Sequence, residues 1–265
     1  METSDYGYED KSVIINEGDG RHTVERWHAD AMCVFTILLM FAINGILTWN
    51  GKPKSVKADI DFWKWRNIFI SWVHGLIVGP WEVLCIWWYP ELMQDPVFFI
   101  NNFIYLLPPV SVGYFIYDFL DLLINHKLKS NWEVVLHHVI MIGGLWYNWT
   151  FKLSISYCII LLLAEINTIF LHLRKLLQFA QVGFDSVLYR VTKMINIFTF
   201  IFCRLLPQSM VVVGLFIDYH RVPKGYFLIP AITVPIGFTI NIVLFWRILK
   251  TDVIRAMFGK RKKAA

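Results

Sequence analysis

The sequence predicts an all-α, polytopic transmembrane helical bundle, and three observations carry that prediction. Of 265 residues, 57% are hydrophobic and only 17% are charged, against roughly 25% charged in ordinary soluble domains. The mean hydropathy is +0.51, more apolar surface than one soluble core of this size encloses. The apolar residues also fall in runs of about 20, the length a helix needs to cross the hydrocarbon of a bilayer. Cys33, Cys85, Cys158 and Cys203 each sit inside such a run without CxxC spacing. They read as buried thiols, not as a disulfide framework.

Seven spans follow in order: Ala31–Trp49, Asn67–Trp88, Asn102–Ile124, Trp132–Trp149, Leu153–Leu173, Val191–Ile217 and Tyr226–Leu249. Trp49, Trp87, Trp88, Trp132 and Trp149 close several of them and suit the headgroup belt. Pro108–Pro109 marks the third as the span where a re-entrant turn would change the count. With seven spans the termini lie on opposite faces. Eighteen Lys and Arg fall on the face of the C-terminus and six on the other, with Arg204 inside a span. The positive-inside rule then places the C-terminus in the cytosol and the N-terminus outside. The net charge of +5 describes a basic rim against anionic lipid, and nucleic acid is not an expected partner.

Residues 1–29 form a polar tail with acids at Glu2, Asp5, Glu9, Asp10, Glu17 and Asp19. No apolar h-region precedes the first span, so residues 30–58 read as a signal anchor and its basic loop. Asn148-Trp149-Thr150 spells a glycosylation sequon, but the loop hugs the membrane, and the site is expected to be unused.

The informative residues are ionisable groups inside the spans, since each costs roughly 2.5–3.5 kcal/mol at mid-bilayer even on insertion scales. They are His74, Glu82, Asp118, Asp121, His137, His138, Glu165 and Arg204. A rise of 1.5 Å per residue places His74, Asp118, His137, His138 and Glu165 at one level, about 8–12 Å from the C-terminal face. Asp118 and Asp121 share a helix face at i, i+3. His137 and His138 diverge by about 100° around theirs, so one faces Asp118 and the other a different neighbour. A contact between Asp118 and one of the two histidines is the sharpest structural expectation. Asp121 is expected near the interface, within reach of water, and Arg204 is expected to pair with Glu82 or Glu165. The plainer reading of any one such group is a helix staple; the functional one is a polar patch in a lipid-sized cavity. Gly79-Pro80, Pro108-Pro109, Pro207 and the Pro230/Pro235/Gly237 group mark where helices could open around that cavity.

Several chemistries are excluded by what is missing. Membrane di-iron enzymes need many clustered histidines, and only the His137–His138 pair is present. HExxH, Gly-rich phosphate loops and GxSxG are absent from the sequence. No cofactor and no metal site is expected. A histidine beside a carboxylate remains suited to general-base or acyl-transfer chemistry, with His137, His138 and Asp118 as its candidates.

An ordered set of motifs runs from Trp65-Arg66-Asn67, Ser71 and His74 through Tyr114–Asp118, Asp121 and His137-His138. Glu165-Ile166-Asn167, Leu171–Arg174, Arg204, Pro207, Asn241 and Trp246 complete the pattern. These motifs resemble those of the TLC-domain family, which ceramide synthases share with translocating-chain-associated membrane proteins. The resemblance covers about Trp65 to Lys250 and assigns residues 59–253 to a TLC domain of about six spans, with 254–265 as a basic cytosolic tail. The SVGYFIYDFLDLL, WEVVLHHV and LHLRKLL stretches resemble the small members linked to plasma-membrane fluidity. The resemblance implies a regulator that limits incorporation of fluidising polyunsaturated chains into phospholipids and keeps the membrane rigid. Its implied partners are membrane phospholipids or acyl chains and lipid-remodelling enzymes. The alternative is a ceramide-synthase-like acyltransferase taking acyl-CoA from the cytosol. Ceramide synthases carry a His-Asp pair with another Asp three residues on, where this chain reads Ala164-Glu165-Ile166-Asn167-Thr168. The ending Lys262-Lys263-Ala264-Ala265 resembles the dilysine retrieval signal of the endoplasmic reticulum, whereas the family resemblance favours the plasma membrane.

Overall fold

The computed structural model describes residues 20–251. The acidic tail as far as Asp19, and the basic tail with Arg255, Lys260 and the Lys262-Lys263 signal, lie outside them. Among the described residues there are helices and no strands. Seven long helical segments account for the fold: α1 (Arg26–Asn50), α2 (Phe62–Trp88), α3 (Asn102–Ile124), α4 (Trp132–Phe151), α5 (Ile155–Phe179), α6 (Val187–Arg221) and α7 (Lys224–Leu249). Six of them are long and apolar enough to span a bilayer. The other, α4, is 20 residues long, and His137, His138 and Asn148 lower its hydropathy.

The segments alternate up and down, as the contacts between their ends show. On one face Lys57 N–H donates to Phe179 O (3.0 Å), Lys127 Nζ sits 3.5 Å from Asp61 and Arg247 meets Glu133 in a bidentate pair (2.6 and 2.7 Å). On the other, Lys152 Nζ donates to Val24 O, Ser154 N–H to Val97 O (2.8 Å) and Arg221 to Asp95 (2.7 Å). The α4–α5 link is only 152–154. It turns so tightly because Lys152 and Ser154 both adopt left-handed conformations (φ 52° and 56°).

At the centre is α3, 72% of whose apolar window is buried, against 11% for α7. It packs on α1, α2, α4 and the start of α5. Its prolines do not make a re-entrant turn. Pro108 and Pro109 fall in the first turn of the segment Leu107–Ile124, where the missing N–H has no partner to lose. Pro207 likewise opens a helical segment, while Pro80, Pro230 and Pro235 lie inside helices. Of the cysteines, Cys33, Cys85 and Cys158 are buried and Cys203 is half-buried; all four are free. Asn148 is turned inward, donating to Cys158 Sγ (2.9 Å) and accepting from Tyr226 Oη (2.6 Å).

The α1–α3 crossing is close enough to require glycine. A Cβ at Gly113 would stand 2.6 Å from Cys33 O and 2.7 Å from Thr36 Cβ, both on a helix that cannot yield locally. Gly143, on α4, would meet nothing within 4 Å. Gly113→Ala is expected to destabilise the protein by about 1–3 kcal/mol through overpacking, and Gly143→Ala to leave it unchanged or slightly firmer. Thermal unfolding of both variants in the same detergent reads the difference.

Candidate functional site

Two carboxylates on α3 organise the polar interior, and each draws in a different set of helices. Asp121 accepts from Trp63 Nε1 (2.7 Å), Arg66 Nη2 (3.1 Å), Asn125 Nδ2 (3.1 Å) and Asn44 Nδ2 (3.4 Å). Arg66 also donates to Thr48 Oγ1 (2.9 Å), tying α2 to α1. Asp121 is therefore not the water-reaching carboxylate that its position predicts. It is buried, because four side chains from α1, α2 and the end of α3 close over it. A charged pair so far out of water holds only when its remaining polar atoms are also met; the carboxylate oxygens are, while Arg66 Nε is buried without an acceptor among the described residues.

One turn deeper, Asp118 is buried between Asn67 and His138. Asn67 Nδ2 donates to Oδ1, and His138 Nδ1 lies 3.3 Å from Oδ2. The expected Asp118–histidine contact is thus made by His138, at ion-pair distance but without the alignment of a hydrogen bond. Behind it, Tyr114 Oη donates to Ser71 Oγ (2.6 Å) and the Tyr114 ring stacks on His74 at 4.0 Å. His74 Nδ1 in turn lies 3.5 Å from Glu165 Oε2 on α5. Asn67, Ser71 and His74 recur at i, i+4, i+7 and so share one stripe of α2. Polar groups of α2, α3, α4 and α5 thereby form one layer.

His137 points elsewhere. It lines two adjoining clefts with Arg204 and Asn241. The outer cleft, about 320 Å³, runs between α4 and α7 along Trp132, Leu136, Ile240, Val243 and Leu244, under the Glu133–Arg247 pair. The inner one, about 70 Å³, continues past Gly144, Leu145, Glu165 and Gln208 to Pro230. The rings of His137 and His138 lie 5.7 Å apart, and Phe115 packs beside both, 6.1 Å from that of His137 and 5.1 Å from that of His138.

Arg204 departs from the sequence expectation of an acid partner. Its guanidinium donates to Asn241 Oδ1 (3.1 Å), Ala164 O (3.1 Å) and Thr168 Oγ1 (2.8 Å), all neutral, and covers the Phe200 ring at 5.2 Å. Glu165 is turned to His74, and both oxygens of buried Glu82 lack a donor among the described residues. The side chain is aimed by a π-turn, Phe200–Leu205, that interrupts α6. Such inserted turns shift the register of the residues after them and recur at functional sites. The amide partners Asn67 and Asn241 were legible only as members of the family pattern; Trp63, Asn44, Thr168 and Gln208 carried no signal in the sequence, being uncharged and scattered. No group of three His, Cys, Asp or Glu side chains among the described residues is placed to hold a metal ion.

Alternating apolar helices around a buried His–carboxylate layer, with a cleft open between two of them, define a multi-pass membrane protein. Residues 64–250 match the model of the TLC domain, and the chain belongs to the TLC-domain family. It is 37% identical to TLC domain-containing protein 2 of Danio rerio over 204 residues, covering 77% of this chain and 82% of that one. It is 31% identical to TLC domain-containing protein 1 of Mus musculus over 213 residues (80% and 85%) and 30% identical to that of Homo sapiens over 202 residues (76% and 80%). No solved structure matches the chain significantly.

The Asp121 cluster separates stability from the cleft. Asp121→Ala is expected to cost about 3–5 kcal/mol by leaving Arg66 buried without its counter-charge. Arg66→Met combined with Asp121→Leu is expected to recover most of that loss. A double-mutant cycle by denaturant unfolding in micelles checks both values.

Proposed function

We propose that the protein regulates the acyl composition of membrane phospholipids, limiting incorporation of fluidising polyunsaturated chains and so promoting rigidity. The observation that carries this reading is the outer cleft. Its walls are Leu136, Ile240, Val243 and Leu244, its floor is His137, Arg204 and Asn241, and Leu136 and Val243 are 42% and 48% exposed toward the surrounding bilayer. An apolar slot open to lipid with a few convergent polar groups suits an acyl chain. Membership of the TLC-domain family, and likeness to TLC domain-containing proteins 1 and 2, support the same reading. Membrane phospholipids or acyl chains are its ligands, with lipid-remodelling enzymes as partners. The charge bias of the loops supports seven spans with the Glu133–Arg247 end of the cleft in the cytoplasmic leaflet. Family likeness favours the plasma membrane, with the endoplasmic reticulum as the alternative site.

A second reading, an acyl-CoA-dependent acyltransferase, rests on the 3.3 Å approach of His138 to Asp118. A carboxylate at that place fixes the tautomer of a histidine base or acyl acceptor. The arrangement divides the parts such a catalyst needs, however. His138 has the carboxylate and is buried, while His137 has the cleft.

Acyl-resolved lipidomics on cells lacking the protein tests the regulator. Loss is expected to raise polyunsaturated phospholipids, and wild type to restore them. Restoration by His137→Ala/His138→Ala at matched membrane abundance would make the histidines staples, and unchanged lipids in the knockout would sink the reading. The enzyme predicts that purified protein in lipid turns over labelled acyl-CoA and that His138→Ala abolishes this; the regulator predicts no turnover.

A further inference from the structure

We propose that Arg204 is the anion subsite of the outer cleft and that its ligand is an unesterified long-chain fatty acid, carboxylate on the guanidinium and chain between α4 and α7. This rests on the reading of the cleft as a lipid site and names what occupies it. Arg204 is 8% exposed, lines both clefts and has no carboxylate within 4 Å among the described residues. Its three hydrogen bonds go to neutral oxygens, and Nε is buried with no acceptor among those residues. Glu165 acts on Arg204 only through space, from its contact with His74, and a buried guanidinium with no carboxylate bonded to it is stabilised when an anion joins it. The π-turn that aims Arg204 inward interrupts an otherwise regular helix, which packing alone does not require.

The surroundings select the anion. The outer cleft contains Arg204 and His137 but not Glu165, which lines only the inner one and faces His74. Glu133, the carboxylate of the outer cleft, is held by Arg247 at its mouth. The second arginine there is committed to that pair, so Arg204 is the cation of the outer cleft with no carboxylate bonded to it. Depth excludes the phosphate of an ordinary phospholipid. Arg204 is bonded to Asn241, six residues or about 9 Å below Arg247 along α7, whereas phospholipid phosphates stay at the level of the interfacial Trp132. A fatty acid can travel that far because its protonated form is neutral, and it becomes the counter-ion beside the guanidinium once its proton has passed to water at the mouth of the cleft. Its first methylenes then lie on Leu136, Ile240, Val243 and Leu244, and the rest of the chain leaves through the gap into lipid.

The test uses the full chain in lipid nanodiscs and two photoactivatable probes, a fatty acid with a diazirine close to its carboxyl group and a phospholipid with a diazirine in one acyl chain. The fatty acid is expected to label α4 and α7 peptides around Leu136 and Val243, with oleic acid competing and oleyl alcohol not. Arg204→Gln is expected to reduce labelling about tenfold, the factor for one lost charge-assisted hydrogen bond, and Arg204→Lys to retain most of it. Val243→Trp fills the cleft from a lipid-facing position without touching Arg204, and is expected to abolish labelling even if Arg204→Gln does not fold. Competition by oleyl alcohol as strong as by oleic acid overturns the carboxylate assignment. Labelling of the same residues by the phospholipid probe, insensitive to oleic acid, overturns the ligand class and leaves a lipid cleft. No labelling there by either probe overturns both the ligand and the cleft reading.

Discussion

An ionised carboxylate buried in hydrocarbon has to be compensated within hydrogen-bonding reach, and α3 imposes that requirement twice, three residues apart. Asp121 is met by Arg66, Trp63, Asn44 and Asn125, and Asp118 by Asn67 and His138. Because the partners come from α1, α2 and α4, satisfying the two acids fixes how three helices sit around the most buried one. The alternative for each group is an unpaired charge costing several kcal/mol, a larger penalty than a slip in apolar packing. Apolar side chains facing lipid tails have little preference between one helix and another. The register of the bundle is therefore carried by these few polar contacts and by the close α1–α3 crossing at Gly113.

The His137–His138 dipeptide distributes that compensation to two sides of α4. Adjacent residues on a helix point about 100° apart, so a single HH cannot place both rings in one pocket. His138 turns to Asp118 and completes the layer from α2 to α5, while His137 turns to the clefts with Arg204. Phe115 packs against both rings. The two sides also differ in character. One is closed and holds its carboxylates beside histidines; the other has empty volume, exposed apolar walls and a cation bonded only to neutral groups.

Fold and site were legible to different depths. Composition and run length are properties of the whole chain, and they carry the helical membrane class; helix spacing carries the split between His137 and His138. The periodicity of α2 and α3 places Asn67, Ser71, His74, Asp118 and Asp121 on faces, but a face does not say how deep it lies. Asp121 shows this. Its distance from the end of α3 is that of an interfacial residue, and only the cover supplied by Trp63, Arg66, Asn44 and Asn125 makes it buried. Arg204 shows the complementary difficulty. Charge alone suggests an acid as its partner, whereas backbone carbonyl, hydroxyl and amide oxygens take its protons, and such groups leave no pattern in sequence. The π-turn that directs it is equally silent, since Phe200–Leu205 reads like any apolar stretch of helix.

The same division bears on which chemistry the fold can support. A catalyst using His138 needs its reacting carbonyl beside a ring that is buried behind Phe115 and closed in by Asp118, Tyr114 and the α2 stripe. A catalyst using His137 has access from the cleft but no carboxylate to fix the tautomer, since Glu165 is directed to His74. Either would require α4 to rotate by a large part of the angle between the two side chains, which would break the Asp118 contact that positions α4 on α3. Binding makes no such demand. A chain could enter between α4 and α7 along exposed apolar walls while the layer behind it stays intact, so the proposed lipid-holding role asks less of this arrangement than catalysis would.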